Sequence, residues 1–553
     1  MITYIEERKT FKLDTPNSSY VFGIEDDKYP VHYYFGAKIG NEDVSYLART
    51  AGARPSERLR EKNSFLDFVP MEYPVAGTGD YRPAAFEVET EEGTCAAELC
   101  YVNHSIVKGK PKLEGLPATF GSETECETLT VCLEDPILKL RVYLNYSVFE
   151  GLDAIVRSLK VENISEQSNV YIINIMSTSL DIDNSDYQLL SLHGSWARER
   201  NIELRPIAHG TQGVGSVRGE SSHQEHPFIA ICDKNITQTS GDVYGFSFVY
   251  SGNFTAEAHL DQFNKVRVLM GINPYHFRWK LEPGETFTAP EAVTVYSGEG
   301  LGHMTRTFHD LYREHLIRSP YRAKERPILI NNWEATYFDF NTEKLLNIAK
   351  EAAARGIEML VMDDGWFGVR NDDNSSLGDW YVNESKLPGG LKPLVEGVNA
   401  LGLKFGIWME PEMVSPDSDL YRAHPDWAIS VPGRTPTRSR NQLVLDLTRP
   451  EVWEHTWNSV KTVLKSANIE YLKWDMNRQL TDLYSSGLPA DRQGELLHRY
   501  MLAVYRMQEA LITEFPNLLL ENCSGGGARF DPGMLYYSPQ IWTSDDTDAI
   551  ERL

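Results

Sequence analysis

Cysteine and positive charge are both scarce in this sequence. Six cysteines (95, 100, 126, 132, 232 and 523) are spread unevenly over 553 residues. That is too few to frame so long a chain with disulfides, and no C-x-x-C pair offers half of a zinc site, so all six read as free thiols. Lys and Arg number 54 against 79 Asp and Glu, a formal charge of −25. Nucleic acids and anionic membranes need a basic face, so this balance argues against both as partners. Hydrophobic length is missing as well: there is no run of about 18 apolar residues, the length that reads as a membrane span. The opening stretch MITYIEERKTFKLDTP lacks the charged-then-apolar order of a secretory leader, and a cytoplasmic chain is expected.

What the sequence does have is apolar residues at 41%, enough to fill a large core in a chain too long for one ordinary domain. Its rhythm changes near residue 325. Before that point, alternating or β-branched runs such as TLTVCLED, LKLRVYLNYSVFE, AIVRSLKVENIS and KVRVLMGINP recur between Gly, Asn, Asp and Pro. Period-2 patterning of this kind predicts a large antiparallel β-sandwich. HMTRTFHDLYREHLIRSPYRAK, roughly 303–324, has helical spacing and leads out of it. The expected division is therefore an N-terminal β-sandwich domain over 1–325, including that helical linker, and a second domain over 326–553.

After ERP, strands alternate with helices. ILINNW precedes NTEKLLNIAKEAAARG, where Leu345, Ile348, Ala349 and Ala352 share a face and Gly356 marks the stop. EMLVMDDGW, KFGIWMEPEM, IEYLKWDM, NLLLENCSGGG and QIWTSDD follow, with helical patterns between them. Such a series predicts parallel β/α units, most economically a (β/α)8 barrel of the TIM type, with a doubly wound open sheet as the alternative. The barrel is favoured by what ends each strand: Trp333, Asp363 and Asp364, Trp408 and Glu410, Lys473 and Asp475, Asn522 and Cys523, Asp545 and Asp546. Such residues are costly in a core, but in a barrel the carboxyl ends of all strands open onto one mouth.

YLKWDMNRQL is the most informative of these stretches. Residues two apart on a strand face the same side, so Lys473 and Asp475 both point into the barrel while Trp474 points toward the helices. A nearby ammonium favours the ionised carboxylate, which suits Asp475 to be a nucleophile; the bland alternative is a structural ion pair. Asp545 in WTSDDTDAIERL is the best-placed second carboxylate. Two carboxylates across a sugar carry out glycoside hydrolysis, with retention at a separation of about 5 to 5.5 Å and inversion at about 6.5 to 9.5 Å. Trp333, Trp366 and Trp408 could offer apolar faces to a pyranose, and Asp363 with Asp364 could accept from vicinal hydroxyls or hold a Mg2+. CSGGGARF would let backbone approach a ligand closely, form a plain turn, or cradle a phosphate.

The motifs ILINNWEATYFDF, DDGWFG, GIWMEPEMVSP, HPDW, NQLVLDLTRPEV, YLKWDMNR, ENCSGGG and RFDPGMLYYSPQIWTSDDTDAIERL, with GKPKLEGLPATF upstream, occur in one order along the chain. Together they resemble the bacterial α-galactosidases of glycoside hydrolase family 36. The resemblance implies a β-supersandwich followed by a (β/α)8 barrel, and a retaining exo-α-galactosidase acting on terminal α-1,6-galactose of melibiose, raffinose and stachyose without metal or cofactor. It implies Asp475 as nucleophile and Asp545 as acid/base, with Asp363 and Asp364 on the galactose 4- and 6-hydroxyls. Arg440, Lys473, Asn477, Trp408, Cys523 and Gly525 would be further sugar contacts, and Trp333 a subsite wall.

The resemblance also implies that the carboxylates follow barrel strands four and six, which makes LVLDL an excursion after strand three. Relatives of this kind are often homotetramers in which a neighbour's sandwich closes the pocket. Trp196 in HGSWARER matches a residue that the neighbour lends, whereas SYLARTAGARPSERLREK contains no Asp to match the acidic residue also lent. Ala528 stands where a fourth glycine is usual. The chain stops at DAIERL, so an incomplete barrel with exposed apolar edges is expected, and with it the alternative of a catalytically dead galactoside-binding fragment. A galactosyl transferase of the raffinose or stachyose synthase kind is the other alternative.

Overall fold

The computed structural model describes residues 1–48, 66–184 and 186–551. From residue 49 onward, the loop that lacks the lent acidic residue lies outside the described residues. Among the described residues up to Ser297, antiparallel strands form three sheets of four, six and ten strands. The expected alternation is visible in Leu140–Phe149, where Val142, Leu144 and Tyr146 are buried and Arg141, Tyr143 and Asn145 are half-buried. It fails in Val243–Val249 and Glu291–Ser297, which are buried throughout. The helix Gly300–His315 explains this: its Met304, Phe308 and Leu311 pack on Val243, Val249, Val293 and Val295, so these strands need apolar side chains on both faces. That helix begins and ends earlier than the sequence spacing indicates. It gives way to a short 3-10 turn, Pro320–Ala323, whose N-cap Ser319 accepts from the Tyr321 backbone N–H.

The second part is one parallel sheet of six strands: Leu329–Asn331, Met359–Met362, Lys404–Met409, Tyr471–Trp474, Leu519–Asn522 and Gln540–Ile541. Each pairs with the next in chain order. Sequential order is the signature of single winding into a barrel; a doubly wound sheet reverses direction at a switch point. LVLDL is not part of this sheet. Leu443–Val444 pairs antiparallel with Met413–Val414, a small ribbon inserted after the third strand, so Asp475 follows strand four and Asp545 follows strand six. Among the described residues the first and sixth strands do not pair with each other, and both are only half-buried, whereas the second and fifth are fully buried. The barrel is open on that side.

Local chemistry sets the helices around the sheet. Asn341 caps Thr342–Ala353 by accepting the Lys344 N–H at 2.9 Å, with Leu345, Ala349 and Ala352 turned inward and Gly356 beyond its end at φ +81°. Pro450 opens Pro450–Lys465, where a missing N–H costs nothing. Polar groups join the two domains: Ser221 and Ser251 donate to the buried Asp531 at 2.7 and 2.6 Å, and Tyr505 donates to Ser251 at 2.9 Å. No helix among the described residues is long and apolar enough to cross a membrane.

Candidate active site

The carboxyl ends of the six strands converge on a cavity of about 1140 Å³. Its wall includes Trp333, Asp363, Asp364, Trp408, Arg440, Lys473, Asp475, Asn477, Gly525 and Asp545, with Trp196 reaching in from the N-terminal domain. Several residues expected at the mouth stand elsewhere: Glu410, Asn522 and Asp546 are not part of the wall, nor are Cys523 and Trp366. Cys523 is buried and is not part of the wall; its backbone N–H is bonded to the Trp474 carbonyl. Trp366 is fully buried and donates its indole N–H to the Trp408 carbonyl at 3.0 Å, so it supports the wall from behind and offers no face to a ligand.

The backbone N–H of Asp475 donates to the Met409 carbonyl at 2.9 Å, which carries the parallel ladder one residue past Trp474 and keeps Asp475 on the side of Lys473. The indole N–H of Trp408 donates to Asp475 Oδ2 at 2.9 Å, and the Met476 N–H donates to Oδ1 at 3.0 Å. Burial pushes the Asp475 carboxyl up. Lys473, the Trp408 N–H, Arg440 and Asn477 outweigh that and hold it below the ordinary carboxylate range. Lys473 differs from the sequence expectation in its partner: its ammonium pairs with Asp363 Oδ2 at 3.3 Å, not with Asp475. Its effect on Asp475 is through the field. Asp363 also accepts from Asn331 at 2.6 Å, and Asp364 is gripped by the Arg370 guanidinium at 2.8 and 3.0 Å. Burial raises Asp364 all the same, against the pull of Arg370. These cations already face the two acids that a Mg2+ would need.

Asp545 lies on the segment after the sixth strand, between two indoles. Trp542 Nε1 donates to Oδ1 and Trp196 Nε1 to Oδ2, each at 2.9 Å. The Trp196 that meets Asp545 here belongs to the same chain. Its hairpin is clasped further by Arg198 on Asp546 at 2.9 Å and by Arg200 on the Gly527 carbonyl. The glycine run serves this clasp. A Cβ on Gly527 would stand 2.3 Å from the Thr543 carbonyl oxygen, and one on Gly526, at φ +84°, would stand 2.8 Å from the Asp545 nitrogen. The close backbone approach is therefore to the Asp545 segment, while Gly525 alone lines the cavity.

Sequence reasoning missed several residues that build the site. Arg370 follows DDGWFG by one residue and could be read as surface charge, although it is fully buried. Glu412 is also buried. It accepts from Trp474 at 2.9 Å and Tyr500 at 2.8 Å and pairs with buried Arg529 at 2.7 Å, locking the floor beneath strand four. His223 and Gln224 reach the wall from the sandwich, and nothing in their local sequence signals it.

The chain is similar to known proteins along its whole length. The Melibiase family model matches residues 286–553, and the glycosyl hydrolase family 36 N-terminal domain matches residues 28–282. Alpha-galactosidase AgaA of Geobacillus stearothermophilus is 50% identical over all of this chain and 76% of its own length. The bifunctional alpha-galactosidase/sucrose kinase AgaSK of Mediterraneibacter gnavus is 46% identical over all of this chain and 58% of its own. The crystal structure of family 36 alpha-galactosidase AgaB from Geobacillus stearothermophilus superimposes with a TM-score of 0.97 at 50% identity, covering 100% of this chain and 76% of that one. A variant of AgaA solved in complex with raffinose gives 0.96 at 50% identity, covering 98% and 76%. With its sandwich, its singly wound parallel sheet and two acids at one mouth, this chain belongs to glycoside hydrolase family 36.

Proposed function

We propose that this protein is a retaining exo-α-galactosidase that releases terminal α-1,6-linked galactose from melibiose, raffinose and stachyose. The observation that carries the reading is the pairing of unlike carboxylates in one cavity. Asp475 is held as an anion and oriented by Trp408, and Asp545 stands on the same wall between two indole donors. In the first step Asp475 attacks the anomeric carbon as Asp545 passes a proton to the departing glycosidic oxygen, leaving galactose esterified to Asp475. In the second, Asp545 takes a proton from water, which attacks the same carbon and restores both acids. No metal or cofactor enters either step.

Asp363 and Asp364, fixed by Lys473 and Arg370, are proposed to accept from the 4- and 6-hydroxyls, so that the axial O4 selects galactose. Arg440, Lys473, Asn477 and Gly525 complete the sugar contacts, Trp408 and Trp333 give apolar walls, and Trp196 bounds the leaving-group side. Cys523 acts only from behind the wall. The division into a sandwich over 1–325 and a catalytic domain over 326–553, a cytoplasmic location and a homotetramer belong to the same proposal. Following fresh cleavage of melibiose by proton NMR tests it: α-galactose appears first and mutarotates later. First-formed β-galactose would mean inversion and reject the covalent route.

A further inference from the structure

Glu410, which follows the third barrel strand, is almost wholly buried behind the cavity wall and is bonded to the wall residue Asn477. Its Oε1 accepts from the Asn477 backbone N–H and from Gln442 Nε2, the latter at 2.6 Å, and its Oε2 accepts from Asn477 Nδ2 at 3.1 Å. The Gly525 N–H donates to Asn477 Oδ1 at 3.1 Å, which fixes the carboxamide with its NH2 toward the acids. The Asn477 side chain also helps to hold the Asp475 carboxyl low, and its backbone follows Asp475 by two residues. Glu410 thus anchors, through backbone and side chain, the residue that stands two positions beyond Asp475 on the neighbouring strand.

We propose that Glu410 is a positioning residue for Asp475: through Asn477 it holds the attacking carboxylate in place, and it takes over the negative charge that Asp475 loses when its oxygen bonds to the sugar. The proposal rests on Asp475 being the nucleophile. Two buried anions this close repel, so while Asp475 is charged Glu410 holds its proton to higher pH. Burial and then Asp475 push Glu410 up to about 7, with Arg440 and the two Asn477 bonds opposing. Arg478 is also within its field. When the ester forms, the repulsion ends and Glu410 releases its proton to solvent. When water cleaves the ester, the proton returns. A group that becomes more acidic on the way to the transition state makes the step faster once it is ionised, so linkage fixes the sign: glycosylation speeds up as pH rises through the free-enzyme value.

A dinitrophenyl α-galactoside isolates this effect, because its leaving group needs no proton from Asp545. For the wild type, kcat/KM should rise about threefold to tenfold as pH passes through about 7. In E410Q the rise should vanish and kcat should fall about tenfold with KM within about threefold, since a donor now meets the Asn477 donor. E410D should keep a rise. Gln442→Leu removes one N–H from the ionised form and should move the rise to higher pH, which keeps the test open if E410Q does not fold. A rise that survives in E410Q, or stays in place in Gln442→Leu, overturns the proposal. Trapping with a 2-fluoro-galactosyl fluoride separates the two readings. Label on Asp475 with an unchanged pH profile rejects only Glu410's role, whereas label on another residue removes the nucleophile assignment itself.

Discussion

At the scale of single residues, the site works by giving two similar acids different surroundings. Asp475 sits deep, with an ammonium, a guanidinium and an indole N–H in its field. Asp545 sits near the mouth, its oxygens facing indole donors from both domains. Trp196 is mostly exposed, so its hydrogen bond to Asp545 contributes little to folding but fixes where the acid points. Trp196→Phe keeps the ring and deletes the donor. Its kcat/KM on melibiose should fall about fivefold, with almost no change for a dinitrophenyl galactoside, whose leaving group does not need the acid. An equal loss on both substrates would mean that Trp196 serves binding and not proton transfer.

At the scale of elements, Asp545 depends on a clasp between the glycine run after strand five, the segment after strand six and the hairpin that carries Trp196. Gly527→Ala forces a methyl against the Thr543 carbonyl, so the Asp545 segment must move. Stability should fall by about 1–3 kcal/mol, as for other overpacked contacts, and activity on melibiose by more than tenfold; a variant that melts and turns over like the wild type would contradict the clasp. The strands themselves were legible in the sequence because each combines an apolar run with an abrupt polar end, and that alternation predicted one mouth. The clasp was not. CSGGGARF announces close approach but not to what, and what it approaches is a backbone some 20 residues away. Trp366 was misread for a similar reason: a strand-end tryptophan can line a pocket or back its wall, and its neighbour Trp408 decides which. Lys473 lies two residues from Asp475 in sequence, yet its closest partner, Asp363, comes from another strand.

At the scale of the whole molecule, sandwich and barrel share one buried interface, and it reaches the site. Asp531 accepts from Ser221 and Ser251 of the sandwich and caps the short helix Pro532–Leu535, while the Ser221–Gln224 stretch continues to the cavity wall. Asp531→Ala leaves the Ser251 hydroxyl and the Met534 N–H without their acceptor, while the Ser221 hydroxyl keeps the Ala528 carbonyl. Stability should drop by about 2–4 kcal/mol, seen calorimetrically as one transition at lower Tm; two separate transitions would show that the domains fold independently. This interface was invisible in the sequence, because the serines that meet Asp531 lie some 300 residues before it and carry no periodic signal.

Covalent capture tests Asp475 as the nucleophile directly. A 2-fluoro-galactosyl fluoride forms the ester quickly and loses it slowly, so inactivated protein can be digested and the labelled residue read by mass spectrometry. The mass of one fluorogalactosyl group should appear on Asp475, and Asp475→Asn should take up no label. A label on any other carboxylate, or inactivation without a label, would contradict that assignment.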